Sequence, residues 1–154
     1  RVETVLAGGE AEEWTGDQLA FQYRSSRLRG DRGRLVTRVW LRVERRDPEE
    51  ICRRIDADLE HRRSAQPAAA SAGSIFKNPP GDHAGRLIEA AGLKGATAGG
   101  AQISPVHANF IVNAGGATAD DVLQLIDRAR RGVRDRFGVQ LELEIEILGN
   151  GHAD

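Results

Sequence analysis

Residues 139–147 alternate without a break. Val139, Leu141, Leu143, Ile145 and Ile147 are apolar, and Gln140, Glu142, Glu144 and Glu146 lie between them. A period of two sends successive side chains to opposite faces of an extended chain, so the segment is expected to be a strand with one face buried and one polar. Such a strand needs a neighbour for its main-chain groups and an apolar layer beneath it.

The segment before it supplies a layer of that kind. Thr118 and Asp121 form a capping pair, Val122, Leu125, Ile126, Ala129 and Val133 recur at helical spacing, and Gly138 ends the pattern. Upstream, Gln102–Val106 and Asn109–Asn113 read as strands, with Gly92–Gly100 as a glycine-rich loop before them. A helix carrying Leu87, Ile88 and Ala91 is expected to be capped by Asp82 and to stop at Gly92. A short strand, Ser74–Lys77, precedes it across the turn Asn78-Pro-Pro-Gly81. Residues 67–150 are therefore expected to form one α/β (α+β) domain with a mixed or antiparallel sheet, followed by a tail at 151–154. The stretch Gln66–Gly73 has no periodicity and reads as a linker. Before it, Asp47, Pro48 and Glu50 start a helix with Ile51, Ile55 and Leu59 on one face and Cys52 beside them as an inert packing residue. Residues 1–7 and 35–44 read as strands, the second with Val39, Leu41 and Val43 on one face. No internal repeat is visible.

Composition narrows the function classes. At 40% hydrophobic and 29% charged, the 154-residue chain buries a core without staples. The net charge of −1 argues against nucleic acid or an anionic membrane as a partner. Of 22 basic residues only Lys77 and Lys94 are lysines, which leaves 20 arginines. One cysteine excludes an intrachain disulfide and any multi-cysteine metal site. No apolar run approaches the ~18 residues of a membrane span, and a cytoplasmic setting is expected. The chain contains no methionine and opens at Arg1, Val2, so it reads as an internal piece or a trimmed product.

Few positions announce chemistry by themselves. His61, His83, His107 and His152 are scattered, with no two set on one helical face beside a carboxylate, so no metal site is expected. The glycines of 92–100 match neither a dinucleotide nor a triphosphate fingerprint. Ser74 in Gly73-Ser-Ile-Phe-Lys-Asn-Pro79 reads on these residues alone as a turn hydroxyl, the alternative being a nucleophile in need of a histidine base. Glu142, Glu144 and Glu146 read as a solvated acidic stripe, or as a substrate-facing site that offsets their mutual repulsion.

Taken in order, however, five blocks resemble one family. They are Phe21-Gln-Tyr-Arg-Ser-Ser26, Ala72-Gly-Ser-Ile-Phe-Lys-Asn-Pro79, Leu87-Ile-Glu-Ala-Ala-Gly-Leu-Lys-Gly95, His107-Ala-Asn-Phe-Ile-Val-Asn113 and Leu141-Glu-Leu-Glu-Ile145. The family is the UDP-N-acetylenolpyruvoylglucosamine reductases, or UDP-N-acetylmuramate dehydrogenases, the MurB flavoenzymes of peptidoglycan synthesis. The resemblance covers nearly the whole chain, and Gly73–Gly95 is its most specific part.

The resemblance implies that NADPH reduces a bound FAD and that the flavin gives hydride to UDP-N-acetylglucosamine enolpyruvate. It implies that a serine protonates the intermediate while an arginine and a glutamate steady it. The matching positions are Ser74, Arg24 and Glu144. Asn78 matches a substrate-binding asparagine, Arg62 lies where a basic substrate contact is expected, and Tyr23 adjoins the active arginine. The 50 residues between Arg24 and Ser74 leave no room for the extra tyrosine-bearing loop of one subtype, so the chain resembles the shorter, second type. The last strand reads Leu-Glu-Leu-Glu-Ile-Glu, where the family often has Pro at the third position and a basic residue at the sixth. The flavin-binding glycine loops would lie before Arg1. Residues 1–45 then read as the tail of the flavin domain and 46–66 as a connecting helix and linker, with the chain inactive alone. The competing expectation is a stand-alone, non-catalytic UDP-sugar-binding or interaction module.

Overall fold

A computed structural model describes residues 1–149. The expected tail at 151–154, with His152, lies outside the described residues. The chain divides into two compact units, Arg1–Glu50 and the part from Ile51 onward.

The first unit is built on a three-stranded antiparallel sheet. Its strands are β1 (Val2–Leu6), β2 (Ala11–Trp14) and β3 (Arg34–Val39), in the order β2-β1-β3. A one-turn helix, α1 (Gly16–Leu19), follows β2 and is held by a capping box between Thr15 and Gln18. β2 carries no clear alternation and was not expected from the sequence. β3 is shorter than the expected 35–44. Its ladder with β1 ends at Val2↔Val39, and the Trp40 N–H donates to the Arg1 carbonyl at 2.9 Å. Leu41 and Val43, expected on a strand face with Val39, lie outside the ladder, and all three are exposed.

Helix α2 (Pro48–Ala65) spans the boundary between the units and contains no buried residue. Ile51, Ile55 and Leu59 are exposed, and Cys52, expected to pack, is exposed as well.

The second unit is α+β. Strands β4 (Ser71–Ser74), β5 (Thr97–Ala98), β6 (Ala101–Ile103) and β7 (Phe110–Asn113) form an antiparallel sheet in the order β4-β7-β6-β5. Helix α3 (Ala84–Ala90) packs on α4 (Ala119–Phe137), and α4 also covers β5 and β6. The capping box of Thr118 and Asp121 and the left-handed Gly138 close α4 where the sequence placed its ends. Leu125, Ile126, Ala129 and Val133 go into the core with Ile75, Leu87, Ile88, Ile103 and Leu141.

Several expectations for this unit are corrected, and the expected strand at Ser74–Lys77 is found as β4, ending at Ser74. The linker stops at Ala70, because β4 begins inside it and the Asn113 N–H takes the Ala70 carbonyl. The glycine-rich loop holds β5, which pairs with β6 through Thr97↔Gln102 and Ala98↔Ala101. Asp82 does not cap α3. The N-cap residue is His83, which makes no side-chain cap bond, and the Ala84 N–H is taken by Asn78 Oδ1 at 3.0 Å.

The alternating segment 139–147 is corrected in kind. Its faces sort as expected over 139–143 and at 145–146: Leu141 is buried, Val139, Leu143 and Ile145 pack against the core, and Glu142 and Glu146 are exposed, whereas Glu144 is half-buried and Ile147, expected on the buried face, is exposed. Yet no continuous ladder forms, only an isolated bridge, Phe76↔Leu143. The reason lies in its partner. Segment 75–77 runs straight into Asn78-Pro79-Pro80, and proline has no N–H to continue a ladder.

Candidate active site

Ser74 is the last residue of β4, half-buried, and faces Phe110 in the β4/β7 register. The three residues after it form a splice held from both sides. On one side the Ile75 N–H donates to the Asn109 carbonyl at 2.8 Å. On the other the Glu144 N–H donates to the Ile75 carbonyl at 2.8 Å, and the Lys77 N–H to the Glu142 carbonyl at 2.9 Å. Ser74 and Glu144, 70 residues apart in sequence, therefore share one main-chain junction at Ile75. Lys77 adds a side-chain tie, its Nζ 3.0 Å from Glu142 Oε2. The carboxylate at 142 thus serves the frame, while 144 lies one hydrogen bond from the residue that follows Ser74.

Asn78 ends the splice. Its carbonyl oxygen is used on the first turn of α3, so its position is tied to that helix. Asp82 closes the turn: its N–H takes the Pro79 carbonyl at 3.2 Å, and its carboxylate pairs with the Arg86 guanidinium. That guanidinium first, then the His83 N–H, holds the Asp82 carboxyl down at about 2.

Tyr23 and Arg24 belong to the first unit, at the two central positions of a tight turn. The Gln22 N–H donates to the Ser25 carbonyl at 3.0 Å, and the Ser25 N–H to the Gln22 carbonyl at 3.1 Å. Arg24 has φ +53°, at a turn position that ordinarily takes glycine. A non-glycine residue held there stores strain of order 1–3 kcal/mol, and such residues cluster at functional sites. The Arg29 guanidinium donates to the Arg24 carbonyl and braces the turn. Arg62 stands in the last turn of α2, exposed.

One participant carried no assigned role in the sequence. Asn109 is 4% exposed, and its side chain holds both main-chain groups of Phe76. The only signal for it was its place in His107-Ala-Asn-Phe-Ile-Val-Asn113, a block that contains no local pattern explaining a buried amide. Among the described residues no group of three or more His, Cys, Asp or Glu is placed to hold a metal ion, and no helix is long and apolar enough to cross a membrane.

Residues 66–148, more than half the chain, match the family "UDP-N-acetylenolpyruvoylglucosamine reductase, C-terminal domain". The chain belongs to this family. It is 49% identical over 150 residues to a UDP-N-acetylenolpyruvoylglucosamine reductase of Chloroflexus aggregans, covering 95% of this chain and 50% of that protein. To one from Bacillus licheniformis it is 42% identical over 146 residues, covering 94% of this chain and 79% of the relative. Among solved structures, the reductase of Thermus caldophilus superposes with a TM-score of 0.79 at 46% identity, over 94% of this chain and 51% of that one. The chain spans about half the length of most of the curated relatives it matches. The α+β architecture expected from the sequence is that of the matched structure.

Proposed function

We propose that this chain is the substrate-handling part of an NADPH-dependent oxidoreductase, a UDP-N-acetylmuramate dehydrogenase. It converts UDP-N-acetylglucosamine enolpyruvate to UDP-N-acetylmuramate in peptidoglycan precursor synthesis in the cytoplasm. The observation that carries the reading is the family match over 66–148, with Ser74 and Glu144 joined through the Ile75 main chain inside it.

The family's reaction uses FAD, reduced by NADPH, as its hydride source. The residues described here do not by themselves make a dinucleotide cradle. Phosphates want a row of main-chain donors at a helix N-terminus or glycine loop. In the first unit the Gly9 N–H is taken by the Leu6 carbonyl, and α1 has a single turn whose Gln18 N–H goes to Thr15. Two buried polar atoms there, Thr4 Oγ1 and Trp14 Nε1, have no partner among the described residues, but one hydroxyl and one indole N–H are not a phosphate site. Residues 1–45 are then only the tail of the flavin domain.

What this chain supplies is the proton and the substrate contacts. Reduction of the enolpyruvyl double bond leaves negative charge on the carbon beside the carboxylate, and that carbon must be protonated. A serine hydroxyl is a weak acid, so Ser74 donates effectively only when held against that carbon as charge builds. Its half-burial and its fixed neighbours on both sides suit it to that task. Glu144, on the adjoining docked segment, steadies the same intermediate. Arg24, presented from its tight turn, holds the substrate carboxylate as charge develops, a contact stronger in the transition state than before it. Asn78, Tyr23 and Arg62 contact the substrate, the asparagine through an amide group suited to phosphate or sugar oxygens.

The test is Ser74→Ala in the flavin-loaded protein. Flavin reduction by NADPH should survive, while turnover of the enolpyruvyl substrate falls by ~10²–10⁴-fold, the usual weight of a general acid. Unchanged turnover, or equal loss of both half-reactions, would refute the assignment.

A further inference from the structure

We infer that Asn109 is a positioning residue for proton delivery: its buried amide replaces a missing sheet rung and sets Ser74 and Glu144 at their working separation. The inference rests on the function proposed above and names how the site is held.

The β4/β7 ladder loses its register between Ser71 and Ser74 and ends at Ser74↔Phe110. Phe76, two residues on and 3% exposed, still has a buried N–H and C=O to satisfy. No strand residue serves them. The Phe76 N–H instead donates to Asn109 Oδ1 at 3.0 Å, and Asn109 Nδ2 donates to the Phe76 carbonyl at 2.8 Å. One side chain thus stands in for a peptide group, accepting and donating to the same residue. The Asn109 carbonyl takes the Ile75 N–H as well, and the Asn109 N–H donates to His107 Nδ1 at 3.2 Å. Asn109 thereby grips two successive residues of the splice, one with its main chain and one with its side chain. The opposite edge of that splice receives Glu144 at the Ile75 carbonyl. If the amide is removed, Phe76 is left with two unsatisfied groups and the splice is free to shift, carrying Ser74 relative to Glu144. Displacements near 1 Å at a reacting group cost on the order of 10²-fold in rate.

The deciding variant is Asn109→Asp. An ionised aspartate accepts from the Phe76 N–H but has no donor for the Phe76 carbonyl. A protonated one has the shape and the donor of asparagine. Burial and the facing carbonyl both disfavour the charged form, so the introduced carboxyl titrates above its ordinary range. His107, Lys77, Glu142 and Glu144, the other charged or titratable groups on the segments that meet at Phe76, are common to both proteins. The ratio of variant to unsubstituted turnover at each pH therefore isolates position 109. At pH 8 the N109D protein should turn over the enolpyruvyl substrate about 10–100-fold more slowly, with flavin reduction by NADPH within twofold, and the ratio should climb back toward one by pH 5.5. A merely destabilising role would depress both half-reactions together at pH 8 and restore both together on acidification.

Amide hydrogen exchange supplies a readout that needs no turnover. Protection of the Lys77 and Glu144 amides, which close the other edge of the splice, should fall about tenfold or more in N109D at pH 8, while Leu125 and Ile126 in α4 keep theirs. Ratios near one at every pH, unchanged exchange at Glu144, or equal loss of both half-reactions would overturn the inference. An unsubstituted, flavin-loaded protein that fails to turn over the substrate would instead sink the proposed function, and the positioning role with it.

Discussion

Leu141 ties the alternating C-terminal segment to the core, and truncating it tests whether that segment is docked as its burial indicates. Leu141 is 2% exposed within the main apolar cluster, and Glu142 and Glu144, one and three residues on, make the segment's main-chain bonds to Lys77 and Ile75. Leu141→Ala removes a buried isobutyl group and leaves a cavity, which together cost about 2–5 kcal/mol. Taking about 3 kcal/mol and a urea dependence of about 1.5 kcal/mol per molar for a domain of this size, the unfolding midpoint should drop by about 2 M. The matched control is Leu148→Ala. Leu148 is 84% exposed, so its truncation should cost no more than about 0.5 kcal/mol. The assay is urea unfolding of both variants beside the unsubstituted chain, with the slope held to the same value. In the flavin-loaded protein, L141A should also slow substrate turnover more than flavin reduction, because it loosens the segment that carries Glu144. A midpoint shift below about 0.3 M for L141A, or equal shifts for the two variants, would refute the docking.

Two further outcomes follow from local geometry. A Cβ on Gly100 would stand 2.3 Å from the Gly115 carbonyl oxygen and 2.5 Å from the Ala117 nitrogen, whereas one on Gly132 would meet only a Leu93 methyl at 2.9 Å. Gly100→Ala should therefore cost about 1–3 kcal/mol, and Gly132→Ala, which gains about 1 kcal/mol of helix propensity, should stay near neutral; thermal melting that ranked them the other way would contradict the packing. Asp82, held at about 2 chiefly by Arg86, contributes stability above its ordinary value of 3.8 that is lost as pH falls toward 2. The stability gap between the unsubstituted chain and Asp82→Asn should accordingly close across pH 4 to 2, and a gap that stayed constant there would show that the pair does not hold the turn.

What was legible in the sequence was what neighbours in sequence decide. Helix α4 could be drawn from its cap at Thr118, its stripe through Val133 and its glycine stop, because each of these depends on residues three or four apart. The inward and outward faces of 139–146 were legible for the same reason, since alternation is a local property of extended chain. The catalytic candidates rest on family motifs, because residue types alone leave Ser74 and the glutamate stripe open.

The tertiary structure decided which distant groups complete each element. It turned the expected final strand into a docked segment, because two prolines end its partner after three residues. It moved the α3 cap from Asp82 to Asn78, because the turn at 79–81 folds the asparagine back over the helix start. It left Ile51, Ile55, Leu59 and Cys52 of α2 exposed, although their spacing is that of a packing face. It also gave Asn109 a role that no local pattern implies. A hydrogen bond between residues 33 positions apart leaves no periodicity behind, and only the folded chain shows that a single buried amide stands where a strand would have been.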